Sequence, residues 1–174
     1  MEIFAETERL LLREILPTDA DGLFALNSDP EVLRYLGAEP IRTIEESRAQ
    51  VDFIRQQYLA NGIGRWAVVE KQTNAFIGWS GLKLVAGPTN GHSNYHDLGY
   101  RFVRQYWGRG YATEAAHAAL RYGFDTLRLP AIYAVADVEN TASNQVLQKV
   151  GLQFIETFAL EGVPHNWYEL RRRH

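Results

Sequence analysis

The stretch Gln105-Tyr106-Trp107-Gly108-Arg109-Gly110-Tyr111-Ala112-Thr113 sets two glycines between an alternating apolar run, Asp97 to Arg104, and an alanine-rich amphipathic run, about Tyr111 to Leu127. The first run predicts a strand and the second a helix. A strand that feeds a helix through such a loop leaves backbone N–H groups unpaired at the positive end of the helix dipole, where a phosphate or pyrophosphate is attracted. Glycine lets the backbone approach that ligand with no Cβ in the way. The segment predicts an anion site on a strand-loop-helix unit. Two glycines before a helix also fit plain loop geometry, so the rest of the chain must separate the readings.

Two common nucleotide loops fail on residue identity. The dinucleotide pattern G-x-G-x-x-G meets Thr113 where its third glycine belongs, and no Gly-Lys dipeptide exists for a triphosphate loop. A second strand-helix unit lies downstream. Ala131 to Val138 is apolar and β-branched, a buried-strand pattern, and it runs into Glu139-Asn140-Thr141-Ala142-Ser143-Asn144-Gln145-Val146-Leu147-Gln148-Lys149-Val150-Gly151-Leu152. Asn140 stands where asparagine caps a helix, and Ser143 falls on the first turn. A serine there can also simply bond the backbone.

Upstream, Leu10, Leu12 and Ile15 with Arg9 and Arg13 predict a first strand, and Pro17-Thr18-Asp19 a helix entry. A short helix runs from there to near Asn27, then a second from the Asp29 cap and Pro30 to about Leu36. Thr43-Ile44-Glu45-Glu46 spells a capping box for a helix that Asn61-Gly62 ends. Arg65 to Glu70 and Ala75 to Val85 read as strands around Lys71-Gln72-Thr73-Asn74, with a loop from Ala86 to Asn94. The chain closes with a hairpin, Gln153 to Leu160 and His165 to Arg171, around Glu161-Gly162-Val163-Pro164.

The 174 residues suit one compact domain, 1–174, with a full core. A net charge of -3 argues against a nucleic-acid partner. Without cysteine there are no disulfides, thiolate ligands or acyl-cysteine intermediates, and no His, Asp or Glu spacing suggests a metal. Met1-Glu2-Ile3-Phe4-Ala5-Glu6 resembles no signal peptide and no run reaches membrane-spanning length, so the expectation is a cytoplasmic protein with no membrane partner. Glu114, His117, Arg121 and Asp125 form a polar helical stripe that reads as a solvated face. Trp66, Trp79 and Trp107 read as core.

The glycine loop resembles the acetyl-CoA loop of the GCN5-related N-acetyltransferases, the GNAT superfamily, whose pattern Q/R-x-x-G-x-G/A has Gln105, Gly108 and Gly110 at its fixed positions. The segment from Asn140 is similar to that superfamily's N-x-x-S-x-x-x-L-x-K-x-G-F. Thr7-Glu8-Arg9-Leu10-Leu11-Leu12-Arg13, Ser28-Asp29-Pro30-Glu31-Val32 and Leu98-Gly99-Tyr100 resemble, more narrowly, the branch that includes the ribosomal-protein N-terminal alanine and serine acetyltransferases. The resemblance implies an α/β (α+β mixed) fold. Its central sheet is mixed and mostly antiparallel, flanked by helices, and its splayed central strands hold acetyl-CoA.

The same resemblance implies a set of site residues. Phe102, Val103 and Arg104 would offer backbone groups to the pantetheine arm. Gln105, Gly108, Arg109, Gly110, Tyr111, Ala112 and Thr113 would hold the pyrophosphate, and Asn140 would contact the arm. Many superfamily members protonate the departing thiolate with a tyrosine where this chain has Leu147. Ser143 or water must then supply that proton. Asp97 and His96 are the candidate bases, each also explained as surface chemistry. With no obvious base, the acceptor leans toward an α-amine, because at neutral pH far more of it is neutral than of a lysine amine. A protein or peptide N-terminus is the favoured acceptor, a small-molecule amine the alternative, and the chain would work as a monomer or homodimer. Two other classes remain open: a non-catalytic acyl-CoA-binding module and a nucleotide-binding regulatory domain.

Overall fold

The computed structural model describes residues 1–173. Its strands are β1 (Ile3–Glu6), β2 (Leu10–Arg13), β3 (Trp66–Glu70), β4 (Ala75–Val85), β5 (Tyr95–Phe102), β6 (Ala131–Asp137), β7 (Gln153–Leu160) and β8 (Val163–Arg171). Its helices are α1 (Ala20–Asn27), α2 (Pro30–Leu33), α3 (Ile44–Asn61), α4 (Tyr111–Arg121) and α5 (Thr141–Lys149). One sheet holds all eight strands in the order β1-β2-β3-β4-β5-β6-β8-β7. Every neighbouring pair is antiparallel except β5 with β6, which run parallel. A parallel pair needs a crossover, and α4 supplies it.

Each face of the sheet has its own core. On one, α4 buries Ala115, Ala116 and Ala119 against Leu82, Leu98, Phe102 and Ile132, with Leu147 of α5 in the same cluster. On the other, Leu23, Leu26 and Val51 of α1 and α3 pack with Ala67 and Trp79. Small alanine side chains let α4 lie close to the strands. That keeps the loop at its N-terminus against the end of β5.

The local signals act as their chemistry requires. Thr43 accepts from the Glu46 amide and Glu46 reaches back to Thr43 N–H, so α3 starts on a closed capping box. It ends at Gly62, whose left-handed φ of 71° is cheap only for glycine. Asp29 caps α2 through the Glu31 amide.

Several boundaries differ from expectation. The run expected as one helix from Tyr111 to about Leu127 is α-helical only to Arg121 and continues as a π-helical turn, Tyr122–Thr126, and the strand expected to reach Arg104 ends at Phe102. Ile3–Glu6 is a strand at the sheet edge, and Phe4 stacks on Trp66 with ring centroids 5.1 Å apart. The α2 helix stops at Leu33, and Leu36 N–H closes a turn on Leu33 O. In the last hairpin only Glu161 and Gly162 turn, with φ of 50° and 80°, the two positive values a tight two-residue turn demands. Val163 and Pro164 pair with Leu160 and Ala159 instead of looping out.

Candidate active site

The glycine loop has the geometry of an anion cradle. Gly108 and Gly110 take φ of 75° and 81°, and Gly110 is the residue that enters α4. A Cβ placed on Gly108 would meet no protein atom within 4 Å, so the space above it is open. The first helical bond of α4 runs from Glu114 N–H to Gly110 O at 3.1 Å. The amides of Tyr111, Ala112 and Thr113 lie before it, on the turn whose donors have no acceptor inside the helix. Arg109 stacks its guanidinium over the Tyr106 ring at 5.4 Å, and Arg9 Nη1 donates to Arg109 O at 2.9 Å. Gln105 belongs to the short 3-10 turn Arg104–Tyr106 that leads into the loop.

Beside this loop the sheet opens. The β5 and β6 strands share a single bridge, Asp97 with Tyr133, and beyond it they part. A cavity of ≈ 500 Å³ fills the opening. Its walls include Leu98, Gly99, Tyr100 and Arg101 of β5, Val135 to Asp137 of β6, and Asn140, Ser143 and Leu147 at the start of α5. It continues to the other face, where Leu23 and Asn27 of α1, Gln50, Phe53 and Gln57 of α3, and Trp79 and Lys83 of β4 line it. The opening thus passes through the sheet. None of the loop residues Gln105 to Thr113 lines this cavity, which begins further back along β5.

Residues 9–153 match the model of the acetyltransferase (GNAT) domain family. This chain belongs to the GNAT acetyltransferases. It is 34% identical over 148 residues to the "Uncharacterized N-acetyltransferase YoaA" of Bacillus subtilis (strain 168), an alignment covering 85% of this chain and 81% of that protein. A GNAT-family acetyltransferase from Bacillus anthracis superposes with a TM-score of 0.80 at 28% identity, covering 98% of both chains. RimL, a ribosomal L7/L12 alpha-N-protein acetyltransferase solved in complex with coenzyme A, shares the fold with a TM-score of 0.80 at 19% identity, again over 98% of both chains. The enzyme is an N-acetyltransferase of a family that uses acetyl-CoA.

Within this acetyltransferase, Asn140 and Ser143 sit together at the cavity wall. Asn140 Oδ1 accepts from Ser143 N–H at 3.2 Å and so caps α5. Ser143 Oγ lies 3.1 Å from the hydroxyl of Tyr100, which reaches across the gap from β5 and also donates to Ser143 O at 3.1 Å. Burial raises the Tyr100 phenol well above its ordinary pKa, so it keeps its proton at any working pH. Sequence reasoning missed Tyr100 as a site residue. Alternation on β5 places it on the α4 face, but nothing local says that α5 begins opposite.

Asp97 and His96 are not a pair. They are successive strand residues and point to opposite faces. The Asp97 carboxylate is held by Arg65 Nη2 at 2.6 Å, and the same guanidinium bonds Gly81 O and Asp97 O. His96 does not line the cavity among the described residues, and burial lowers its pKa. Asp97 has a committed partner and His96 faces elsewhere.

Several of the backbone groups expected to meet the pantetheine arm are engaged within the protein. Phe102 O accepts from Trp107 Nε1 at 2.8 Å, Val103 N–H donates to Ile77 O, and Arg104 O accepts from Trp107 N–H. Arg104's side chain pairs with Asp29 at 2.6 Å. On β5 the cavity wall is Asp97 to Arg101, a few residues earlier. Tyr111 likewise turns its side chain inward, its hydroxyl on Glu70 and its ring under Arg9 at 4.3 Å.

Two further readings also change. Glu114 is not solvated like His117, Arg121 and Asp125. It accepts from Thr7 Oγ1, Arg9 N–H and Arg9 Nε at 2.6, 3.1 and 2.7 Å. Burial pushes its carboxyl pKa up, but these bonds outweigh it and the pKa ends below the ordinary value. They tie β2 to the first turn of α4. Of the tryptophans, Trp66 is core, Trp79 lines the cavity, and Trp107 is 47% exposed with its Nε1 anchoring the loop.

Proposed function

We propose that this single-domain chain passes the acetyl group of acetyl-CoA directly to an α-amine, with a protein or peptide N-terminus as the favoured acceptor. The observation that carries the reading is the cavity that runs through the sheet, because direct transfer needs thioester and amine to meet from opposite sides. Acetyl-CoA supplies the activated acetyl group as a thioester. The open cradle at Gly108 and Gly110, with the amides of Tyr111, Ala112 and Thr113, suits its pyrophosphate, and Gln105 and Arg109 flank it. Asn140 and the β5 edge from Leu98 to Arg101 flank the arm. A backbone N–H aimed at the carbonyl oxygen contributes about 3 kcal/mol where charge develops.

As the C–N bond forms and the C–S bond breaks, the sulfur takes up a proton. Ser143 Oγ gives it in this reading, supported by the neutral Tyr100 hydroxyl 3.1 Å away, which can restore it. The proton lost by the amine goes to solvent. Asp97 is held by Arg65, so the rate should follow the fraction of acceptor that is already neutral. For an α-amine with pKa near 8 that is about a tenth at pH 7, against about one in two thousand for a lysine amine.

A CoA-release assay with a short peptide tests this. Mass analysis should find the α-amine acetylated in preference to lysine, with the rate climbing between about pH 6 and 8 as that amine deprotonates. His96→Gln should leave the climb intact. Lysine acetylated faster at neutral pH, or a climb abolished by His96→Gln, would overturn the reading.

A further inference from the structure

On the α1–α3 face of the sheet, three cross-strand pairs form the floor of the acceptor half of the cavity. Trp79 faces Arg101, Gly81 faces Gly99, and Lys83 faces Asp97. Gly99 makes room for Arg65. A Cβ on Gly99 would lie 2.6 Å from Arg65 Nη2, so the guanidinium lies directly over the middle pair. Arg65 is matched by Asp97. The other two cations are not matched. Among the described residues neither Lys83 nor Arg101 makes an ion pair, and Asp97, which lies across from Lys83, is already engaged by Arg65.

Arg101 is short of acceptors. Its Nη1 donates to Asn27 Oδ1 at 2.7 Å, a neutral partner, and its buried Nε has no hydrogen-bond partner. Its guanidinium and that of Arg65 both lie 5.1 Å from the Trp79 ring. Two guanidinium groups so close repel one another. Burial and then the Arg65 charge lower the Arg101 pKa to about 10, which leaves it fully charged at neutral pH. Burial likewise lowers Lys83. Gln57, on the opposite wall, has a buried Oε1 without a partner. Unpaired charge in a cavity wall is costly, and a wall that keeps it is set to receive the opposite charge.

We propose that the acceptor is an amine carrying a carboxylate close to it, and that Arg101 and Lys83 receive that carboxylate while the amine meets the thioester. This rests on the transferase reading. The chemistry is shared by two sources: the α-carboxylate of a free amino acid, and an acidic side chain just behind a peptide N-terminus. The same floor repels polyamines.

The test is CoA release at saturating acetyl-CoA with matched acceptors: phenylalanine against phenylalaninamide, Ala-Asp-led against Ala-Asn-led peptides, and spermidine. The acidic member of at least one pair should have the higher kcat/KM by about ten- to a hundredfold, the range for a charged hydrogen bond. Which pair responds names the source. The comparison is stringent for phenylalanine, because its amine is the less neutral of the two. Arg101→Gln should erase the preference mainly through KM, and Arg101→Lys should keep much of it. An acetyl-CoA-induced rise in Tm verifies that each variant is folded, and Lys83→Gln serves if Arg101→Gln is not. Carboxamides or spermidine used as well as the acids would overturn the inference and leave the transferase reading standing. No release with any amine would overturn the transferase reading and this one with it.

Discussion

Tyr100 and Ser143 make contact from two elements that no local pattern connects, one on β5 and one on the first turn of α5. If they form one proton path, removing either part should remove most of what both supply. Ser143→Ala and Tyr100→Phe should each lower kcat by about ten- to a hundredfold, the lower range for a lost general acid. The double variant should be little worse than either single one, the signature of coupled residues. Full activity in Ser143→Ala would assign the proton to water and the serine to the helix start. At this scale the sequence was legible where a residue's job is local. Asn140 as a cap, Asp29 as a cap and the glycines of the loop were readable from their neighbours. Arg65, Arg101 and Tyr100 were not, because their roles depend on which side chain lies across a strand or a gap.

Among the elements, α3 both closes one core and walls the acceptor side with Phe53, Ile54 and Gln57. Its start depends on an exposed capping box. Thr43→Ala should cost about 1 kcal/mol. In a domain of this size that lowers Tm by roughly 2–4 °C. Thermal melting checks it, and a Tm unchanged within error would mean that packing alone fixes this helix. Periodicity located α3, α4 and α5 because each joins a helical apolar face to a start or stop signal. It missed β1, whose four residues are too few to show alternation and whose order comes from pairing with β2 and from Phe4 on Trp66. It made the last turn too long by taking Val163 and Pro164 for loop, whereas a proline beside a tight turn needs no ladder N–H.

For the whole molecule, cofactor and fold stability are linked through the glycine loop. Acetyl-CoA at about a hundred times its dissociation constant should stabilise the protein by roughly 2.7 kcal/mol, read as a rise in Tm. Gly108→Ala isolates the ligand's share. The new methyl group touches no protein atom, and the backbone strain at φ 75° is common to the free and bound forms. The difference in Tm with and without acetyl-CoA should therefore shrink in the variant. An undiminished difference would mean that the ligand does not approach that glycine. No helix among the described residues is long and apolar enough to cross a membrane.

The single bridge between Asp97 and Tyr133 has a mechanical consequence. On one side of it stand five strands, and on the other the last three, all from the C-terminal quarter of the chain and joined to the rest by few backbone rungs. Backbone pairing is continuous within each section and interrupted along one seam. In the complex proposed above, a pantetheine arm lying in that seam would take the place of the missing rungs. On that proposal, loading the enzyme would do more than fill a groove: it would splice two plates into one, and release of the product would have to part them again.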